Sequence, residues 1–213
     1  MISPGYIRDK NLAKKHIEKT RKNNSIHPSA LHECARKIYL DMIEEPNPPT
    51  INKQVVGNLR KGVTGISTHS RILHDLGAYV LEDEVILNIV DSCNGRIDAI
   101  IGTEDSKQIL EIKTVNNKRY RAMKQLNKPE KKMELQIVYY MSRLGLPGWL
   151  YIENKDTQEY MEFFYPTWKI PILAEVEEKI LLINSCLEEK VLPPVNITRN
   201  CKWCQWKEKY CGI

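Results

Sequence analysis

Two short segments constrain this chain more than anything else in it: Gly95-Arg96-Ile97-Asp98 and Glu111-Ile112-Lys113. Side chains alternate faces along a strand, so residues at i and i+2 project together. Glu111 and Lys113 therefore share a face, and Ile112 points into a core. Asp98 sits in an apolar run of its own, Ile97-Asp98-Ala99-Ile100-Ile101. Between the runs, Gly102-Thr103-Glu104-Asp105-Ser106-Lys107 reads as a hairpin turn. Two antiparallel strands then bring Asp98 beside Glu111 and Lys113. Two carboxylates and an ammonium on one sheet face suit a divalent cation and the hydrolysis of a phosphodiester. A solvated strand face with alternating charge has the same local pattern. The Gly-x-x-Asp lead and the apolar setting of both strands favour the site.

The elements around this pair alternate. Helices are expected over 6–22 and 29–43, the second with Ser29 as N-cap and Cys34 near its start. Pro46-Asn47-Pro48-Pro49 breaks the chain. Residues 54–80 read as helix-rich but irregular around Gly57, Gly62 and Gly65. Strands fit 84–90, 96–101 and 108–114. A basic, weakly patterned connection covers 115–130. A helix from about Glu130 to Leu144 stops at Gly145. Strands at Trp149–Glu153 and Glu159–Phe164 flank a polar turn, and a long helix fits Trp168–Glu189 before Pro193-Pro194. Helices, three strands, helix, two strands, helix make an α/β sandwich around a mixed sheet. We expect a single domain over 1–213: a helical part over about 1–60, a core over about 61–190, and a cysteine-rich tail over about 191–213.

Three further side chains are candidates for the site. His69, in Gly65-Ile66-Ser67-Thr68-His69, is a candidate third metal ligand, and imidazole tilts preference toward manganese. Gln136 and Tyr140 lie four apart on one helix face, where they would hold substrate near the metal. Tyr139 points elsewhere, into packing. Lys118, Arg119, Arg121 and Lys124 are the candidate contacts to a phosphate backbone.

The six cysteines add a second metal chemistry. Cys201-Lys202-Trp203-Cys204 and Cys211 supply three thiols, and Cys34 is the candidate fourth ligand. Cys93 belongs to the turn before Asp98, and Cys186 to an apolar helix face. Zinc and an iron–sulfur cluster use the same four thiolates. Tying Cys34 to Cys201 costs on the order of 5 kcal/mol of chain entropy. Metal–thiolate binding releases roughly 10–16 kcal/mol, so ligation wins and would clamp the N-terminal helices to the tail. Trp203 and Trp206 are expected to shield the metal.

An apolar content of 42% allows a sizeable core, and no apolar run is long enough to span a membrane. No apolar signal region opens the chain. The net charge of +5 favours a polyanionic partner. A cytoplasmic protein is expected, or one of the host cytoplasm if viral.

These segments in this order resemble the PD-(D/E)XK nuclease superfamily. They are most similar to its RecB-like branch with an iron–sulfur staple, which includes a CRISPR-associated exonuclease, AddB-like domains and viral relatives. Gly65–His69 resembles that family's histidine motif, Gly95–Asp98 its aspartate motif, Glu111–Lys113 its D/E-x-K element, and Gln136–Tyr140 its Gln-x-x-x-Tyr helix. Cys34 with Cys201, Cys204 and Cys211 resembles the split cluster. The resemblance covers Ser29 to Cys211. It implies a restriction-endonuclease-like fold with a cysteine-ligated staple. It implies a DNA nuclease dependent on Mg2+ or Mn2+, acting on single strands from an end, with endonuclease action open. It also implies a [4Fe-4S] cluster ahead of zinc. Asp98 and Glu111 would hold the metal with His69, and Lys113 would activate or position water. Partners in CRISPR adaptation, recombination or viral replication are all compatible, as is a homo-oligomer. The rival reading is a DNA-end-binding scaffold with little cleavage role.

Overall fold

The computed structural model describes residues 3–19, 23–46, 51–90 and 92–213. From residue 47 the expected breaker falls outside them, as does the expected end of the first helix at 20–22. Helices α1 (Pro4–Lys19), α2 (Ala35–Ile43) and α3 (Lys53–Leu76) come first. Strands β1 (Val80–Val90), β2 (Cys93–Thr103) and β3 (Ser106–Val115) follow, then α4 (Asn117–Leu126) and α5 (Lys131–Leu144). β4 (Gly148–Asn154), β5 (Tyr160–Tyr165) and α6 (Pro171–Glu189) complete the core. The tail carries a short 3-10 turn at Arg199–Trp203 and a π-helical turn at Lys207–Cys211.

The sheet runs β1-β2-β3-β4-β5 in chain order. Among the five strands described, only β3 and β4 pair in parallel, because α4 and α5 carry the chain back across the sheet between them. Ile72 and Leu73 of α3 cover one face, against Ala99, Leu110 and Ile112. The other face is covered by Ile137, Val138 and Met141 of α5, Val176 and Ile180 of α6, and Ile26 and Leu31, which pack over Ile97, Ile109, Leu150 and Ile152. Ile26 bridges to Cys93 and ties the early segment to the start of β2.

Three expectations change. The helix expected over 29–43 is split: Pro28 sets a 3-10 turn at Pro28–Ala30, and α2 begins only at Ala35. Its N-cap is Cys34, not Ser29; the Cys34 Sγ accepts from the Lys37 amide at 3.3 Å. The region 54–80 is not irregular, since α3 passes unbroken through three glycines and across the boundary drawn near residue 60. Its apolar stripe at Ile72, Leu73 and Leu76 packs on the sheet and outweighs their helix cost of about 1 kcal/mol each. The connection over 115–130 contains helix α4, capped by Asn116, whose side chain accepts from the Arg119 amide.

Candidate active site

β2 and β3 pair in regular register from Thr103↔Ser106 to Ala99↔Leu110. Beyond that point the Asp98 carboxylate takes over: its Oδ2 accepts from the Ile112 amide at 2.7 Å. Alternation would put Ile97 and Ala99 on one face, yet Ile97 packs with the α5 side and Ala99 with the α3 side. The strand turns at Asp98, which lets its other oxygen look toward α3. There His69 Nδ1 stands 3.6 Å from Asp98 Oδ1. Gly65, one turn before His69, lets α3 approach β3 closely; a Cβ there would sit 3.0 Å from Thr114 Oγ1. Arg71 fixes the same helix further along, donating to both carboxylate oxygens of buried Glu153 on β4 at 2.7 and 2.6 Å.

Glu111 is 1% exposed. Its Oε1 accepts from Lys113 Nζ at 2.5 Å, and its Oε2 is buried with no hydrogen-bond partner. Burial pushes its pKa up to about 7, against the opposing pull of Lys113, with Asp98 repelling it further. Lys113 Nζ also donates to Gln136 Oε1 at 2.8 Å. Gln136 Nε2 donates to the Tyr140 hydroxyl at 3.1 Å, and that hydroxyl donates to the Arg96 carbonyl at 3.0 Å. Lys113 is thus the end of a relay that reaches back to β2, two residues before Asp98. Gly95 makes this possible: a Cβ there would lie 2.5 Å from the Tyr140 ring.

Asp98, Glu111, Lys113 and His69 come together, and Gln136 and Tyr140 adjoin them. The last two are buried, so their hydrogen bonds go to Lys113, Arg96 and each other, although Gln136 also lines a groove with Lys113. Tyr139 packs in the core, donating to the Cys93 carbonyl. Among the four basic candidates on α4, Arg119 is held by Glu130 at 2.6 and 2.7 Å and Lys124 by Glu159 at 3.3 Å. Lys118 and Arg121 are exposed on the same helix. The reading from sequence missed Lys61, Arg96 and Lys155, which share a groove with Asp98 and His69. Arg96 had a signal, two residues from Asp98; Lys61 and Lys155 had none, being distant in sequence.

Hard carboxylate oxygens with an adjacent imidazole fit a Mg2+ or Mn2+ ion, and the partnerless Glu111 oxygen is the group such an ion would satisfy. No three His, Cys, Asp or Glu side chains among the described residues close into a finished cage.

The thiols of Cys34, Cys201, Cys204 and Cys211 line one small cavity between α2 and the tail. None is in a disulfide. Burial raises the pKa of Cys34 above its usual value, and repulsion from the other three thiols adds to it. Trp206 lines the same cavity and is buried, whereas Trp203 is 80% exposed. Cys93 opens β2 and Cys186 packs in α6, both buried.

No family model matches the chain, and no curated protein matches it. Solved structures do. SSO0001 aligns with a TM-score of 0.56 at 20% identity, over 99% of this chain and 96% of its own. The alkaline exonuclease LHK-Exo from Laribacter hongkongensis aligns at 0.55 and 13% identity, over 83% of this chain and 93% of its own. The same enzyme in complex with dAMP aligns at 0.56 and 13% identity, over 78% and 89%. The chain shares the fold of an alkaline exonuclease. No helix among the described residues is long and apolar enough to cross a membrane.

Proposed function

We propose that this protein is a Mg2+- or Mn2+-dependent deoxyribonuclease of the PD-(D/E)XK type that degrades single-stranded DNA from an end. The observation that carries the reading is Glu111: a buried carboxylate with one oxygen on Lys113 and the other unsatisfied, near Asp98, which lines a groove. A structural carboxylate gains nothing from such a setting. The shared fold with LHK-Exo, an exonuclease seen with dAMP, supports it.

Asp98 and Glu111 would hold the cation, with His69 at its edge. Bound there, the ion supplies Lewis acidity and offsets charge growing on the phosphate oxygens. The protein's own groups do the rest. Lys113, held between Glu111 and Gln136, orients the attacking water by donating to it. Gln136 and Tyr140 fix the lysine's direction.

The four thiols would hold a [4Fe-4S] cluster, with Zn2+ as the competing occupant. A brown protein absorbing visible light supports the cluster; a colourless one with stoichiometric zinc replaces it. Cytoplasmic work within CRISPR adaptation, recombination or viral replication agrees with both metals.

The test of the enzyme is direct. With Mn2+ and end-labelled single strands, Asp98→Ala and Lys113→Ala should each lose at least about a hundredfold in cleavage rate. Activity equal to the parent in either variant ends the nuclease reading.

A further inference from the structure

Three grooves converge on the Asp98–Lys113 site, and their chemistry differs. The first, about 550 Å³, lies between α3 and the start of α4, with Lys61, Arg96 and Lys155 on its walls. The second, about 230 Å³, holds Lys113 with His32, Arg119 and Lys132. The third, about 470 Å³, runs along β1 and carries Asp83 and Glu84. The first shares Thr114, the residue after Lys113, with the second, and Ile66, His69, Arg96 and Asp98 with the third.

We propose, resting on the nuclease reading, that one polynucleotide strand lies in the trench formed by the first two grooves and crosses the site at Thr114, and that the third groove stays empty of nucleic acid. The charges decide it. Among the described residues, Lys61 and Lys155 make no ion pair, so their ammonium groups are available to phosphates. On the far side, Lys132 and Arg119 share the single carboxylate of Glu130 and leave a net positive wall. In the third groove Asp83 and Glu84 repel a phosphodiester backbone, and Glu84 already holds Arg96 at 3.0 Å.

The wall of the trench gives an independent argument. Gly62 and Gly65 stand three apart, on one face of α3. A Cβ on Gly62 would meet nothing within 4 Å. A glycine inside a helix costs about 1 kcal/mol relative to alanine, and no packing here asks for it. The bare wall instead leaves room for a strand. Lys155 opposite is presented by a fixed turn: its amide donates to the Val115 carbonyl, and Asp156 accepts from the Asn117 amide.

Binding separates this proposal from catalysis. Fluorescence anisotropy with a labelled oligothymidylate is measured in EDTA, where no cleavage occurs. The Lys61→Ala/Lys155→Ala double variant should flatten the salt slope by about 1.4, at about 0.7 for each phosphate no longer neutralised, which is on the order of twentyfold in affinity at 0.1 M salt. Gly62→Leu should bind more weakly while melting no earlier than the parent. Asp83→Asn should bind within about twofold of the parent, its charge being outside the proposed path and unpaired with Arg96. Parent-like binding by both the double-lysine variant and Gly62→Leu overturns the path, as does a parent that fails to bind. A parent that binds along these residues yet never cuts with Mn2+ sinks the nuclease reading and leaves the path standing.

Discussion

The carboxylate of Glu111 has one oxygen on Lys113, the other without a partner, and a pKa near 7 in place of the usual 4.5. A raised carboxyl pKa means that the folded state holds a proton more tightly than the unfolded chain does. No cost exists below about pH 4.5, where the group is neutral in both states. The cost accumulates up to pH 7 and is complete above it, at about 3 kcal/mol for a displacement of this size. A bound cation would remove that cost. Glu111→Gln keeps an oxygen for Lys113 and carries no charge. We expect the chelated variant to resist urea better than the parent at pH 8, with the difference closing toward pH 5, while cleavage is lost. Urea titrations at the two pH values check this. A variant less stable than the parent at both would show that the carboxylate belongs to the fold and not to a ligand.

At the scale of elements, the site depends on how closely α5 approaches β2, and one missing side chain sets that distance. Gly95→Ala would drive a Cβ into the Tyr140 ring, with Pro28 closing the way out on the same side. We expect a loss of about 1–3 kcal/mol, as for other overpacked cores, and a fall in cleavage because Gln136 loses its seat. Tyr140→Phe keeps the ring and removes only the link from Gln136 to the Arg96 carbonyl. It should cut about tenfold more slowly with little change in melting temperature, the usual size of effect when a group that orients a metal-site side chain is lost. Kinetics and thermal melts on the two variants separate packing from orientation. The same elements show what the amino-acid sequence makes legible. Alternation and a polar turn located β2 and β3, because both signals are local, whereas the turn of the strand at Asp98 breaks that alternation. Helix α4 escaped because Lys118, Arg119, Arg121 and Lys124 mask an apolar face of only Tyr120 and Met123, though Asn116 was a readable cap. The unbroken run of α3 through its glycines escaped for another reason. Its support comes from the sheet beneath it, and local propensity cannot report tertiary packing. Lys61 and Lys155 belong to the same class: only the fold puts them in one groove.

Across the whole molecule, the tail returns to the N-terminal helices, where Trp206 and Tyr210 pack with Tyr39 and Leu40 and Lys209 pairs with Glu44, and two further sets of interactions are separable by mutation. One is the thiol cavity. The other needs no metal: Arg36 of α2 donates to the Pro193 carbonyl at 2.7 Å and to the Tyr210 carbonyl at 2.6 Å, and Trp206 Nε1 donates to Asp41 at 2.8 Å. Hydrogen bonds from a charged donor contribute about 1.5–3 kcal/mol each when partly shielded, so this second set matches a sizeable share of the entropy of closing so long a loop. Emptying the thiol cavity of any metal and releasing the tail would then be different events. Cys201→Ser/Cys211→Ser should lose any visible absorbance and melt earlier, yet keep its tail docked, so that trypsin cuts slowly at Lys202, Lys207 and Lys209. Adding Arg36→Met should release the tail and speed those cuts by more than either change does alone, since each set holds what the other leaves free. Rapid tail cleavage in the double-cysteine variant would put the docking on the thiols alone. Slow cleavage there, lost with Arg36→Met, would mean that the thiol cavity is assembled before anything fills it, which is the condition under which a chain with ligands at both ends can capture a metal without first searching for its own terminus.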